Sequence, residues 1–181
     1  MVPVKALGLT AGNSTTGHRF EAAVSPVVLQ DADSYAATLQ KDGAVVTWGN
    51  ASYGGDSASV NDQLSGGVQK LFAAVQAFAA LKDDGSVVTW GNDGGDSSTV
   101  AADLVEGVSK LFATGSAFAA LKSDGSVVTW GDSEYGGDSS SVSDVLQSGV
   151  TEIYSTEHAF AALKSDGSVV TWGNDSGGGN S

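Results

Sequence analysis

The sequence predicts an all-β protein, built from tandem β-hairpin repeats in a propeller-like or partial propeller arrangement of four blades. Three observations carry this. Trp48, Trp90, Trp130 and Trp172 each close the string VVTWG, at intervals of 42, 40 and 42 residues, a period typical of stacked or radially arranged supersecondary units. An Asp-Gly pair precedes each string, at Asp42-Gly43, Asp84-Gly85, Asp124-Gly125 and Asp166-Gly167. The apolar runs between such punctuation are short, of strand length rather than helix length.

The third repeat shows the elements in order. Val108, Leu111 and Phe112 form a first run, Ala117 to Leu121 a second, and Val127 to Trp130 a third. Asp-Gly favours a two-residue type I′ hairpin turn, because both central residues take positive φ. Centring that turn on Asp124-Gly125 pairs Leu121 with Val128, Ala120 with Thr129 and Ala119 with Trp130. One face then carries Ala117, Ala119, Leu121, Val128 and Trp130, the other Phe118, Ala120, Lys122, Val127 and Thr129. Both faces are largely apolar, so each hairpin is expected to lie between neighbours.

Polar connectors join each Trp to the next repeat. The middle one is two residues shorter than the others, at the place where they carry Tyr53 and Tyr135, which puts the length variation in a surface loop. Ser141-Val142-Ser143-Asp144 reads as a cap for one helical turn ending at Gly149. Residues 1–25 do not match the repeat and are expected to form an arm or extra strand, leaving 26–181 as the four-repeat domain.

A hydrophobic fraction of 41% suffices for a core, while 25 glycines indicate many turns. The net charge of −13 leaves no basic footprint for a phosphate backbone, so nucleic acid is not expected as a partner. Cysteine is absent, which removes disulfides, thiolate nucleophiles and Cys-type zinc sites. No run of about 20 apolar residues is present, and the first residues lack the basic start and apolar core of a signal peptide. The expected setting is nonetheless extracellular, on a cell surface or on a virion.

The repeat resembles the regulator of chromosome condensation family, whose blades carry an apolar residue, then Ala-Leu, then Asp-Gly, then Trp-Gly. The matching positions are Leu111, Ala119, Leu121, Asp124, Gly125, Trp130 and Gly131. Their counterparts are Leu71, Ala79, Leu81, Asp84, Gly85, Trp90 and Gly91, and Ile153, Ala161, Leu163, Asp166, Gly167, Trp172 and Gly173. The first repeat follows through Leu29, Ala37, Leu39, Asp42, Gly43, Trp48 and Gly49. The family's common His before Ala-Leu is Tyr35, Ala77, Ala117 or Ala159 here, and its usual seven blades are four. The resemblance implies a bladed all-β fold. Four such units suit a small ring, an open arc, or half of a ring completed by a second chain; the unpaired faces of the end blades favour an oligomer or docking into a larger assembly.

No residue pattern points to a catalytic centre, a cofactor or a metal. The four Trp residues are assigned to inter-blade packing rather than sugar stacking. The Gly-Gly-Asp clusters at Asp56, Asp96 and Asp138 follow no calcium-binding loop pattern and are read as turns. His18 and His158 stand in no ligand or triad spacing, and the Lys82-Asp83 type of pair reads as a solvated face. Tyr53, Asp56, Asp96, Tyr135 and Asp138 remain as the candidate partner-binding residues of the connectors. The expected function is therefore a non-enzymatic structural or protein-interaction module of a larger assembly. The alternative is a lectin-like, glycan-binding module.

Overall fold

A computed structural model of the chain describes residues 27–31, 35–92 and 94–180. The predicted amino-terminal arm, with His18, lies outside them. The described residues form four three-stranded antiparallel sheets, one per repeat, each in the order first-second-third strand. Blade 1 contains β1 (Val27–Asp31), β2 (Tyr35–Leu39) and β3 (Val45–Gly49). Blade 2 contains β4 (Val68–Ala73), β5 (Ala77–Lys82) and β6 (Val87–Gly91). In blade 3 they are β7 (Val108–Ala113), β8 (Ala117–Lys122) and β9 (Val127–Gly131). Blade 4 is completed by β10 (Val150–Ser155), β11 (Ala159–Lys164) and β12 (Val169–Gly173).

The hairpin register differs by one residue from that expected of a two-residue turn. Leu121 pairs with Val127, Ala120 with Val128, Ala119 with Thr129 and Phe118 with Trp130. The loop holds three residues: the Gly125 N–H donates to the Lys122 carbonyl at 3.0 Å, and the Lys122 N–H to the Ser126 carbonyl at 2.9 Å. Only the glycine need take the left-handed conformation, at φ +83°, as in a tight turn followed by a bulge. Asp124 fixes this shape by accepting from both the backbone N–H and the hydroxyl of Ser126. Ser86 and Ser168 do the same for Asp84 and Asp166.

A one-residue slip exchanges the faces of a strand relative to its partner. Trp130 therefore shares a face with Phe118, Ala120 and Val128, while Ala117, Ala119 and Leu121 share the other with Val127 and Thr129. The packing assignment of Trp stands, but its cross-strand partner is Phe rather than Ala. Ring centroids lie 5.4 Å apart for Phe78–Trp90 and Phe118–Trp130, and 5.3 Å for Phe160–Trp172. In blade 1 the same pairing sets Ala36 against Trp48, and the β1 register places Val28, not Leu29, at the position of Leu71.

The blades stack in chain order through these two unlike faces. Ala77, Ala79 and Leu81 of blade 2 form one core with Phe118, Ala120 and Trp130 of blade 3. Ala37, Leu39 and Val45 of blade 1 do so with Phe78, Ala80 and Trp90 of blade 2, and Ala117, Ala119 and Leu121 of blade 3 with Phe160, Ala162 and Trp172 of blade 4. Small residues on one side admit the large rings of the other, so the blades approach closely without voids. Backbone bonds join the same units. The turn carbonyls of Gly43, Gly85 and Gly125 accept from the N–H groups of Val68, Val108 and Val150, each at 3.0 Å.

Connectors close the gaps between blades. Leu64 and Leu146 are buried anchors after 3₁₀ turns at Ala58–Val60 and Ser140–Val142, and Leu104 is one at the end of the turn Ser98–Leu104. The expected helical turn forms at Ser143–Leu146, without a side-chain cap from Ser141. The two-residue shortening of the middle connector has a measurable effect. Trp90 and Trp172 donate Nε1–H to the carbonyls of Gly54 and Gly136 in the connectors before them, both at 3.0 Å. In the shortened connector a Cβ on Gly94 would meet the Ser116 carbonyl instead, and the buried Trp130 Nε1 has no hydrogen-bond partner among the described residues. Trp172→Phe should therefore destabilise more than Trp130→Phe, by about 1–2 kcal/mol, since only the former breaks a bond and strands a carbonyl. Parallel denaturant melts would show the ordering.

Candidate interaction surface

The candidate residues all lie in the connectors, and the structure gives each a local task. Asp56, Asp96 and Asp138 accept from the backbone N–H two residues on, at Ala58, Ser98 and Ser140, over 2.8–2.9 Å. These are Asx turns, the expected use of Asp in such loops. The serine after each Asp is engaged as well. Ser57, Ser97 and Ser139 bond the hydroxyls of Thr47, Thr89 and Thr129, at 2.8, 2.9 and 2.9 Å. The Gly-Gly-Asp-Ser string thus ties each connector to the Thr of VVTWG. Gly-Gly is required because Gly55, Gly95 and Gly137 lie so close to the backbone of Gly49, Gly91 and Gly131 that a Cβ would sit 2.2–2.5 Å away.

Asp56 and Asp96 line one open cleft with Ser59, Thr89 and Asn92. Backbone donation from Ser98, and then its hydroxyl, holds the Asp96 carboxyl below its ordinary value of 3.8; Ser140 acts likewise on Asp138. A general acid needs the opposite shift. No group of three or more His, Asp or Glu side chains among the described residues is placed to hold a metal. No helix among the described residues is long and apolar enough to cross a membrane.

Tyr53 and Tyr135 end equivalent 3₁₀ turns, Ala51–Tyr53 and Ser133–Tyr135, and both are half-buried. Tyr135 stacks on His158 at 4.8 Å and packs against the core between blades 3 and 4, while its carbonyl accepts from Thr114 Oγ at 2.8 Å. It serves the junction first.

Two features escaped sequence reasoning. Lys82 and Lys122, read as solvated, donate Nζ to connector carbonyls 19 residues back, at Gln63 (3.0 Å) and Asp103 (2.8 Å), and Lys164 does the same at Val145. Their recurrence directly after each Ala-Leu was the available signal. Among the four tryptophans, Trp48 is 47% exposed whereas Trp90, Trp130 and Trp172 are at most 3%, a difference of position in the stack that no local string encodes.

The turn aspartates respond to pH. The Ser86 hydroxyl, then its backbone N–H, lowers the Asp84 carboxyl below 3.8; Ser126 and Ser168 act in the same order on Asp124 and Asp166. A carboxyl depressed in the folded state stabilises above its unfolded value, and that contribution disappears as pH falls through the folded one. Replacing all three with Ala should thus lower the melting temperature most at neutral pH, and the gap from the native protein should narrow below pH 3.8.

Comparison with solved structures places the architecture. Prp20p from Saccharomyces cerevisiae superposes with a TM-score of 0.53, over 83% of this chain and 43% of that one, at 19% identity. The fold is a bladed, propeller-like all-β repeat. At this identity the likeness concerns fold alone. Human WBSCR16 aligns over 86% of this chain with a TM-score of 0.48 and 19% identity. No family model matches the sequence. Among curated proteins, the glycine–tRNA ligase beta subunit of Polaromonas naphthalenivorans is 58% identical over 76 residues, 42% of this chain and 10% of that protein. The corresponding subunit of Methylobacillus flagellatus is 70% identical over 46 residues, 25% of this chain and 6% of that one. The chain thus spans about a tenth or less of the curated relatives it matches.

Proposed function

We propose that this chain is a non-catalytic protein-interaction module, in which stacked blades hold a row of connectors as a docking surface. One observation carries the reading: the repeated residues are consumed by packing and turn formation, so the parts that vary between repeats, chiefly the connectors, form the accessible surface. A catalytic centre would need dissimilar groups converging on one point. The cleft at Asp56 and Asp96 instead repeats one turn geometry twice. Use of the same fold for protein contact is exemplified by Prp20p, described by its binding to Gsp1p and histones. The segment shared with ligase subunits is about a tenth of their length or less and is read here as a module rather than as the seat of aminoacylation.

The surface of a cell or virion is the setting we propose for this acidic scaffold. Immunodetection on intact cells or particles, compared with lysed ones, tests it. For the interaction itself, the purified chain is immobilised and probed with extract of its source, beside a variant with Tyr53→Ala, Asp56→Asn and Asp96→Asn and beside a glycan panel. Capture of a defined protein that the variant loses, with no glycan response, is the expected result. Binding confined to glycans would replace the reading with the lectin-like one, and turnover of a substrate by the isolated chain would overturn it.

A further inference from the structure

The two ends of the blades differ in charge. Among the described residues, every Lys lies in or beside an Asp-Gly turn, or in the half of β4 or β7 nearest to one. The loops at the opposite end, where the connectors leave Gly49, Gly91 and Gly131, hold no Lys or Arg among the described residues and carry Asp56, Asp96, Asp132, Glu134, Asp138 and Glu157. A rim of one sign draws in partners of the other.

Acidity alone specifies no site, but the same end has a second feature. At the junctions of blades 1 and 2 and of blades 3 and 4 the connector tip completes the packing. The carbonyls of Gly54 and Gly136 accept Nε1–H from Trp90 and Trp172, and a Cβ on either glycine would strike the Phe78 or Phe160 ring at 2.7 Å. Just before Gly136, Tyr135 covers the β7–β8 loop: a Cβ on Gly115 would lie 2.9 Å from its ring, and its carbonyl accepts from Thr114 Oγ1.

The junction of blades 2 and 3 has the same parts without that tip. Trp130 stacks on Phe118 at 19°, as Trp90 and Trp172 stack on their Phe partners at 23° and 25°, so its Nε1 faces the same end. Trp130 is 2% exposed, and its Nε1 has no hydrogen-bond partner among the described residues. The connector here is two residues shorter and lacks the Tyr, and a Cβ on Gly94 would meet the Ser116 carbonyl at 2.8 Å. Val75 holds the place of Gly115: its N–H donates to the Gly115 carbonyl at 2.7 Å, as the Gly115 N–H does to the Glu157 carbonyl at 2.8 Å. It is 43% exposed. A buried donor without an acceptor is unfavourable, and no Trp bond fixes the Gly94 tip, so an incoming carbonyl gains that bond by displacing the tip.

We infer that the outer edge of the junction between blades 2 and 3 receives a loop of a partner protein in which an aromatic residue precedes glycine, with Lys or Arg on either side. The aromatic ring lies on Val75 beside Ser116, as Tyr135 lies on Gly115 beside His158. The glycine carbonyl accepts from Trp130 Nε1. The flanking cations meet Asp96, Asp132 and Glu157; the Asp132 N–H donates to the Ser116 carbonyl, which fixes that carboxylate beside the edge. This contact point rests on the interaction-module reading above and gives it a partner chemistry.

The full chain is titrated with the blocked peptide Lys-Lys-Tyr-Gly-Lys-Lys, beside Lys-Lys-Ala-Gly-Lys-Lys and Glu-Glu-Tyr-Gly-Glu-Glu, and followed by calorimetry and by the Trp130 indole N–H resonance. The basic Tyr-Gly peptide should bind more tightly than both controls, move that resonance downfield and lose affinity as salt rises. Trp130→Phe should weaken it by about two- to tenfold, the worth of one hydrogen bond, with the melt unchanged. Trp90→Phe should not weaken it, because that N–H is already bonded within the chain. Inserting Ser-Tyr between residues 93 and 94 gives this connector the length of the other two; the variant should raise the melting temperature, which verifies its folding, and should no longer distinguish the Tyr from the Ala peptide. Absence of binding at millimolar peptide, equal binding of the Ala peptide, or indifference to both Trp130→Phe and the insertion overturns the inference. A partner protein captured equally by the native chain and the insertion variant overturns this contact point and leaves the interaction reading standing. Failure to capture any protein overturns that reading, while the peptide titration still decides the contact point.

Discussion

Phe118→Ala should destabilise the protein by about 3–5 kcal/mol, the cost of emptying a fully buried aromatic site whose surroundings cannot collapse. Phe118 is 0% exposed, stacked on Trp130 within its own blade and packed against Ala77, Ala79 and Leu81 of the blade before. The loss therefore strikes an intrablade ring pair, itself worth about 0.5–1.5 kcal/mol, together with an interblade core. Blade 1 supplies a natural comparison, since the pairing there sets Ala36, not Phe, against Trp48. Equilibrium denaturation of Phe118→Ala beside Phe112→Ala, a site only partly buried at the edge of the next core, is the measurement. Equal effects would contradict the assignment of Phe118 to the centre of a junction.

The second large effect separates backbone strain from blade contact. Gly125→Ala and Gly167→Ala place the same side chain in nearly the same conformation, φ +83° and +86°. A left-handed alanine costs about 1–2 kcal/mol, and Gly167→Ala should cost no more than that, since its Cβ would meet nothing within 4 Å among the described residues. At Gly125 the new Cβ lies 2.9 Å from the Gly149 nitrogen, and the adjoining carbonyl accepts the Val150 N–H. Backbone must move, and the bond weakens, which brings the total to about 3 kcal/mol. Melts of the two variants give the difference directly; its absence would mean that the turn does not couple the blades.

How much of this was legible follows from which interactions are local. The four blades, their strand boundaries and the packing role of Trp are written in VVTWG and in the runs before it, because strand pattern and turn punctuation act over a few residues. The register was not. Asp-Gly satisfies two turn types, and in all four blades the Asp carboxyl accepts the N–H two residues on, at Ala44, Ser86, Ser126 and Ser168, within a three-residue loop. At the candidate surface, the turn nature of Asp56, Asp96 and Asp138 was readable from Gly-Gly-Asp. The junction role of Tyr135 was not, since its partner His158 lies 23 residues on, beside the next blade. That Trp130 Nε1 lacks a partner among the described residues required both the shortened connector and the knowledge that a carbonyl normally waits there.

The near-identity of the hairpins has a consequence for folding. Blades 2, 3 and 4 share AFAALK and VVTWG, so a β5–β6 hairpin can pair as well in the place of β8–β9 as in its own. Nothing within those strands records their order. What records it is the first strands, VQKLFA, VSKLFA and VTEIYS, together with the connectors, including the Lys110–Glu152 ion pair between β7 and β10. A chain of interchangeable hairpins carries its address in its least repetitive pieces, and swapping β7 for β10 should yield more misassembled protein than exchanging the whole β8–β9 hairpin for β11–β12.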